Sequence, residues 1–271
     1  MLLALMTAIA PATVSATQDD PTSGAAAAAI ELRRIVAPEA HQGVATGPGV
    51  VYAVGNNQLA AYDPQTGRSF RQWEGDPKRY PHINSCERVG EELVCAASNY
   101  PATPMRSEIL WFDAATLTPL RQHDLGHGHG SLTWVARHDD AWWLCYANYD
   151  GKGGEPGRDH KATTLVRLDN DLAETGTWTF PDTVLARIAP RSISGGSWGS
   201  DGLLYVTGHD RKEVYAIKVP TDGSVLHHVG TIATSTGGQA ISWERQGERV
   251  LWSIDRVSSE LVASRVPPVV E

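Results

Sequence analysis

The chain has 271 residues and a formal net charge of −8, and 41% of its residues are hydrophobic. This length allows a large buried core in one or two domains. Lys and Arg form no basic run, and no apolar segment approaches the roughly 20 residues of a membrane span. The composition therefore argues against a nucleic-acid partner and against a membrane-spanning helix.

The N-terminal segment has the pattern of a leader. Residues 1–10 are apolar, and Val14-Ser15-Ala16 supplies small residues for cleavage, so residues 1–16 are predicted to be a signal peptide. No Lys or Arg stands near the start, and a disordered Ala-rich leader is the alternative. Residues 17–29 show no core pattern and are predicted to form a flexible tether. The expected location is therefore secreted or periplasmic.

Residues 30–36 (IELRRIV) resemble the outermost strands of the repeats that follow. The last repeat shows only about three strands, so we expect residues 30–36 to supply its missing outer strand and close the ring. A helix over residues 25–34 is the alternative, because alanine favours helix.

Five similar strand units follow. The clearest covers residues 194–232, where β-branched and aromatic runs are separated by the turns Ser200-Asp201-Gly202 and Thr221-Asp222-Gly223. The units begin at intervals of about 41, 47, 65 and 44 residues. This spacing predicts an all-β, five-bladed β-propeller of four-stranded antiparallel blades, a single domain over residues 30–271. The long interval indicates a blade with an inserted loop, and extra strands hidden in residues 148–161 would make six blades.

Two cysteines lie on the arms of one predicted hairpin that turns at Gly90-Glu91. Counting outward from this turn places Cys86 opposite Cys95, close enough for a disulfide. Two buried thiols are the alternative. Cys145, inside the run Trp142-Trp143-Leu144-Cys145-Tyr146, is predicted to be a buried core thiol.

Polar residues recur where the innermost strands start and where the second strands end. In a propeller these positions meet around one mouth of the central channel, and polar groups converging in a concavity indicate a ligand site. Two connections near it are long, residues 99–107 and 148–161, and long loops on a rigid scaffold are frequently functional. Polar residues that line a wet channel need no ligand, however, and a single histidine is more often structural than catalytic.

Histidine and tyrosine are the candidate chemical groups at this mouth. We predict catalytic roles for His82, His129, His209, Tyr100 and Tyr149, because imidazole titrates near neutral pH. His82, His129 and His209 could instead bind a divalent metal ion, since imidazoles from different strands can converge. The predicted substrate-binding residues are His41, Gln42, Asn84, Asn99, Ser131, Asp150, Asp210, Gln239 and Arg256.

Other reaction classes find little support in the sequence. The strand starts supply no carboxylate pair for glycoside hydrolysis. No Gly-x-Ser-x-Gly elbow, phosphate loop or His-Glu-x-x-His motif is present.

Several strings resemble a known family. HQGVA, VYAVGNNQLAAYD, HINS, GSLTWVARHD, TTLVRLD and GGSWGSDGLLYVTGHD resemble a family of β-propeller proteins of bacteria and plants that is sometimes labelled cycloisomerase-like. The resemblance covers about residues 41–252 and implies the fold but no established reaction. A weaker similarity, through Gln42-Gly43 and Tyr52, is to the five-bladed glutaminyl-peptide cyclotransferases. Those enzymes have a Glu shortly after that tyrosine, whereas this chain has Ala53-Val54-Gly55.

Two hypotheses for function follow. The first is an exported enzyme of the lyase or isomerase type that acts on a small polar metabolite or saccharide unit at the channel mouth. The second is a non-catalytic propeller that binds a ligand or protein on the same face, because propellers include both kinds of protein. A monomer is expected in either case.

Overall fold

The computed structural model describes residues 27–245 and 247–269, and it is a five-bladed β-propeller. The predicted leader, and the predicted tether up to residue 26, lie outside the described residues. Each blade is a four-stranded antiparallel sheet, as predicted. Among the described residues, no helix is both long enough and apolar enough to cross a membrane.

The first four blades use strands that are consecutive in the chain. Blade 1 contains β2 (Gly43–Gly47), β3 (Val50–Val54), β4 (Gln58–Tyr62) and β5 (Ser69–Glu74). Blade 2 contains β6 (Ile83–Val89), β7 (Glu92–Ser98), β8 (Arg106–Asp113) and β9 (Pro119–His127). Blade 3 contains β10 (Ser131–His138), β11 (Ala141–Ala147), β12 (Thr164–Leu168) and β13 (Glu174–Thr179).

The ring closes through the N-terminal strand. Blade 4 contains β14 (Gly195–Trp198), β15 (Leu204–Thr207), β16 (Glu213–Lys218) and β17 (His227–Ala233). Blade 5 contains β18 (Ser242–Trp243), β19 (Val250–Asp255), β20 (Glu260–Arg265) and, as its outer strand, β1 (Ile30–Val36). β1 pairs antiparallel with β20, which places Ile35 opposite Leu261. The closure predicted from the sequence is confirmed, and no helix forms within the described part of residues 25–34.

The hydrophobic core lies between the blades. Five clusters of buried side chains each join one blade to the next, because both faces of every inner sheet are covered by a neighbour. The inner strand β2 and its neighbour β3 are buried along almost their whole length, whereas the outer strands β5 and β9 are mostly exposed. Burial falls from the axis outward, as radial packing of sheets requires.

A short helix that the sequence analysis did not predict lies between blades 3 and 4. Helix α1 (Asp182–Ile188) buries Val184, Leu185 and Ile188 in the cluster between these two blades. A 3₁₀ turn (His160–Ala162) also interrupts the connection between β11 and β12. The long interval therefore contains an inserted loop and a helix, with no additional strand.

The cysteines adopt the oxidised alternative. Cys86 lies directly opposite Cys95 in the β6–β7 pair, and a disulfide joins them. Cys145 is a buried free thiol, as predicted. Burial raises the pKa of the Cys145 thiol, so this group is protonated and unreactive at neutral pH.

Candidate functional site

A cavity opens at the end of the channel where the innermost strands begin, and we call it the mouth cavity. Its volume is about 250 Å³. It receives side chains from all five blades and from the segment between α1 and β14. The lining residues are Gln42, His82, Asn84, Tyr100, Thr133, Tyr149, Arg191, Ser194, His209, Gln239 and Arg256.

The axis below the mouth cavity is tightly packed. A Cβ atom on Gly43 would lie 2.4 Å from the Ala240 Cβ, and one on Gly195 would lie 2.5 Å from the Gln239 carbonyl oxygen. Real Cβ atoms do not approach other atoms so closely, and only glycine allows the inner strands to meet here. Because these strands converge, the polar residues at their starts are held around one concavity.

Three rings form one wall of the mouth cavity. The His82 and Tyr100 ring centroids are 5.1 Å apart, and those of Tyr100 and Tyr149 are 5.3 Å apart. Tyr100 and Tyr149 come from the two long connections, so both loops contribute to the site. Tyr100 also packs on Gly153, where a Cβ would lie 2.3 Å from its ring.

The two loops are also braced against each other. The Met105 backbone N–H donates to Glu155 Oε1 at 2.5 Å, and the Met105 side chain is buried. The loop of residues 148–161 is thereby fixed to blade 2. The aromatic wall is therefore held in place, since its two tyrosines project from loops that are anchored to each other.

Charge and burial set the protonation states in the mouth cavity. Burial lowers the pKa of His82 from 6.5 to about 4, and the positive charge of Arg256 lowers it further, while a hydrogen bond with Asn84 opposes the shift. Burial raises the pKa of Tyr149 well above its usual range. At neutral pH, His82 is therefore an uncharged imidazole and Tyr149 a protonated phenol.

His209 is held between a cation and a carboxylate. Arg256 Nη1 lies 3.1 Å from His209 Nε2, and Asp210 Oδ1 lies 2.5 Å from His209 Nδ1. A guanidinium can only donate, so Nε2 accepts and Nδ1 carries the hydrogen given to Asp210. Both ring nitrogens are thus occupied, and neither is free to take a proton from a ligand unless Arg256 moves.

The amide side chains at the floor differ in their partners. Asn84 donates to Ser98 Oγ and to the Leu132 carbonyl, and Gln42 donates to Asn56 Oδ1. Gln239 is buried and its Nε2 has no partner among the described residues. An unsatisfied buried donor is costly, so this group is available to an acceptor placed in the mouth cavity.

Eight of the predicted site residues line the mouth cavity, and six lie elsewhere. His41 and Asp210 lie just outside it on the rim. Ser131 is fully buried and donates to Ser98, and Asn99 braces its own loop by accepting from the Arg106 backbone N–H at 2.8 Å. The other two, His129 and Asp150, make contacts within blade 3 and its loop.

The structure does not assemble the predicted three-histidine metal group. The His129 ring stacks on Tyr146 at 4.8 Å and its Nε2 lies 3.3 Å from a Glu174 oxygen. Within the described residues, one group of three potential ligands is found, Asp150, Asp159 and His160. Asp150 Oδ1 accepts hydrogen bonds from both the backbone N–H and Nδ1 of His160, so this group braces the loop.

Three lining residues, Thr133, Arg191 and Ser194, were not among the predicted catalytic or substrate-binding residues. Arg191 follows α1, the helix whose short pattern was not recognised, and so it had no predicted position relative to the channel. Thr133 lies at a register shift in the β10–β11 pair, and such a bulge changes which side chain faces the channel. The apolar residues at 184, 185 and 188 are the sequence signal of this helix, but seven residues are too few to make the pattern clear.

The chain matches no protein-family model and no curated protein. Its fold is similar to that of several solved propellers. The PQQ-bound aldose sugar dehydrogenase of Streptomyces coelicolor has a TM-score of 0.56 and 11% identity, over 89% of this chain and 98% of that chain.

Two further structures show weaker likeness. A chain of the mitotic checkpoint complex has a TM-score of 0.48 and 11% identity, over 97% of this chain and all of that chain. The Cps50 (Swd1) propeller domain of Myceliophteria thermophila has a TM-score of 0.43 and 10% identity, over 83% of each chain. At such identities the likeness shows the β-propeller fold alone, and no sequence family supports the cycloisomerase-like label.

Proposed function

We propose that the mouth cavity binds a small polar metabolite or saccharide unit that carries an anionic group. One observation carries this proposal: two guanidinium groups, Arg191 and Arg256, line the cavity, and none of the described residues that line it has a carboxylate. Arginine binds carboxylates through paired hydrogen bonds that are strong in a partly buried site. The Gln239 amide, the hydroxyl groups of Tyr100 and Tyr149, and the Ser194 hydroxyl supply further donors for ligand oxygens.

The proposal extends to lyase or isomerase chemistry on the bound ligand. A carboxylate bound by arginine makes the hydrogen on its neighbouring carbon more acidic, and uncharged His82 can accept that proton. Protonated Tyr149 can return a proton to the leaving oxygen in a lyase or to carbon in an isomerase. A bound anion also offsets part of the positive electrostatic potential that Arg256 creates at His82, and this raises the pKa of His82 toward neutrality.

Binding without reaction is the second candidate, and the protonation states favour it. A general acid or base works best with a pKa near the working pH. The pKa of His82 is about 4 and that of Tyr149 is raised, so both lie far from neutrality in the unliganded site. Both ring nitrogens of His209 are engaged in hydrogen bonds, which also favours binding without reaction.

Calorimetric titration with D-galacturonate and D-galactose tests the binding proposal, because the two sugars differ in the carboxylate. We expect galacturonate to bind at least about tenfold more tightly, and Arg191→Gln to abolish that difference, since a hydrogen bond to a charged group contributes about 1.5–3 kcal/mol. Equal affinity for the two sugars, or an unchanged preference in the variant, would contradict the proposal.

Proton exchange separates catalysis from binding. Galacturonate incubated with the protein in D₂O should gain deuterium on the carbon next to its carboxylate if His82 removes that proton. His82→Gln should stop the exchange while binding persists. Tight binding with no exchange and no product in the wild type would favour the non-catalytic candidate.

We also propose that the protein is exported, and the disulfide supports this. Cys86 and Cys95 are oxidised in the structure, and disulfides persist in oxidising compartments such as the periplasm and the extracellular space. Expression of the full chain in a bacterium, followed by fractionation and thiol labelling, tests the location. Recovery of the protein in the cytoplasm with both thiols reactive would contradict export.

A further inference from the structure

A second and larger concavity adjoins the mouth cavity, and we call it the rim groove. Its volume is about 660 Å³. It runs over the junction of blades 4 and 5 and shares His209 and Arg256 with the mouth cavity. The residues that line it are His41, His209, Asp210, Lys212, Gly237, Gly238, Ile254, Asp255, Arg256 and Val257.

The two concavities share two lining side chains, His209 and Arg256. Residues that are adjacent in the chain line different concavities. His41 and Gly238 line the rim groove, whereas Gln42 and Gln239 line the mouth cavity. The hydrogen bond from Arg256 to His209 stands between them. Arg256 is exposed, so this partition is formed by a side chain that a ligand can displace.

The floor of the rim groove is backbone. A Cβ on Gly238 would lie 2.0 Å from the Gly208 carbonyl oxygen, and one on Gly237 would lie 3.4 Å from the Asp210 carbonyl oxygen. The β17–β18 connection therefore lies directly on the loop that follows β15. This close approach leaves an open groove beside the channel mouth, and none of the described residues that line it is Phe, Trp or Tyr.

The rim groove holds two cationic side chains, Lys212 and Arg256, and two carboxylates, Asp210 and Asp255. Its two carboxylates already have partners: Asp210 accepts from His209, and Asp255 accepts from Arg34 at 3.1 Å. The Lys212 side chain is exposed, and among the described residues it makes no ion pair. Lys212 and Arg256 thus form a cationic edge that continues from Arg191 in the mouth cavity.

We propose that the rim groove binds a second unit of the same ligand, and that this ligand is a uronic-acid oligosaccharide. The inference rests on the proposed function of the mouth cavity. A ligand with one carboxylate on each sugar presents one charge to Arg191 inside and another to Lys212 outside, with Arg256 between them. A single sugar unit uses only the inner position.

Titration of the full chain with D-galacturonate and with its 4-linked dimer tests the inference. The dimer is expected to bind at least about tenfold more tightly than the monomer, since it adds a charge-assisted contact. Lys212→Gln should lower the ratio of the two affinities to about one, and Lys212→Arg should preserve the ratio. Arg71→Gln, which removes one positive charge from exposed strand β5, is the matched control and should also preserve it.

Two results would overturn the inference and leave the proposed function intact. One is equal affinity for dimer and monomer while Arg191→Gln still abolishes the preference for galacturonate over galactose. The other is a tighter-binding dimer whose advantage survives Lys212→Gln, because the second unit would then lie outside the rim groove. Failure of the wild-type protein to bind the monomer would instead defeat the proposed function, and the inference with it.

Discussion

At the scale of single residues, the chemical properties of the side chains in the candidate site depend on their burial and partners more than on residue type. His82 and His209 both line the mouth cavity, yet their surroundings assign them different properties. Burial and a nearby positive charge lower the pKa of His82 to about 4, whereas His209 is fixed by its bonds to Arg256 and Asp210. Two histidines that look equivalent in sequence therefore have different surroundings and different partners in the site.

The first prediction concerns pH and His82. The unfolded chain protonates this imidazole as the pH falls through 6.5, but the folded protein resists protonation until about 4. Between these values the unfolded state binds more protons, so the free energy of unfolding falls as the pH is lowered. The melting temperature of the wild type should thus drop more steeply from pH 6.5 to 4 than that of His82→Gln.

The comparison with the variant is needed because Glu87 titrates in the opposite sense. Burial raises the pKa of Glu87 from 4.5 to about 7, although Arg245 and the Arg137 backbone N–H oppose the shift. This carboxyl group stabilises the fold at low pH and loses that contribution as the pH rises to 7. Parallel melting curves for the wild type and His82→Gln across the whole range would contradict the first prediction.

The second prediction concerns Gly153 beneath Tyr100. Gly153 has φ +84°, and an added Cβ would collide with the Tyr100 ring. Gly153→Ala should therefore displace Tyr100 and weaken galacturonate binding by about tenfold or more, as well as costing about 1 kcal/mol of stability through the positive φ.

Gly157 provides the matched control for this change. It lies in the same loop with φ +81°, and an added Cβ would meet nothing within 4 Å. Gly157→Ala should lower stability by a similar amount without changing galacturonate affinity. If calorimetry gives both variants the same affinity, the Tyr100 contact does not matter to the site.

At the scale of elements, the hairpin β6–β7 illustrates what alternation in sequence can predict. The turn at Gly90 fixes the register, and a fixed register determines that Cys86 faces Cys95. Helix α1 shows the limit of this reasoning. Its seven residues are too few for a clear periodic pattern, and its position depends on the apolar gap between blades 3 and 4, which exists only after the ring has closed.

The candidate site was predictable to the same extent as the elements that support it. Residues at inner-strand starts, such as Gln42 and His82, follow from the repeat alone, and the structure brings them together. Arg191 could not be placed because α1 was not recognised. His129 was expected at the mouth from its position, but its stacking on Tyr146 depends on side-chain contacts within blade 3 that strand spacing does not specify.

The third prediction concerns the disulfide. Cys86 and Cys95 are 9 residues apart, and closing so short a loop in the unfolded chain stabilises the fold by about 2–3 kcal/mol in the chain-entropy description. Reductant should therefore lower the melting temperature of the wild type. A Cys86→Ala/Cys95→Ala variant should melt at a lower temperature and be insensitive to reductant. A wild-type protein that melts identically with and without reductant would contradict the prediction.

At the scale of the whole molecule, one strand from the start of the chain completes the ring. β1 covers the edge of β20 and contributes Ile35, which is buried in the core between blades 5 and 1. The preceding residues also contact blade 4, since the Ala29 backbone N–H donates to the Ala233 carbonyl. The N-terminal segment thus connects the last blade to its neighbour as well as to its own sheet.

The last prediction follows from this closure. A chain of residues 37–271 lacks β1 and leaves the hydrogen-bonding edge of β20 open, whereas a chain of residues 27–271 keeps it covered. Open edges pair with other strands, so the shorter chain should melt at a lower temperature and form oligomers whose size grows with concentration. A synthetic peptide of residues 27–37 should restore both properties by adding a strand to β20.

An Ile35→Ala peptide is the matched control, because the loss of a buried isoleucine side chain costs about 2–5 kcal/mol while the strand's hydrogen bonds remain. It should restore the melting temperature less than the natural peptide at equal concentration. Light scattering and thermal melts measure both effects. If residues 37–271 remain monomeric with an unchanged melting temperature, β1 does not close the ring in solution, and the blade 5 sheet is stable with three strands.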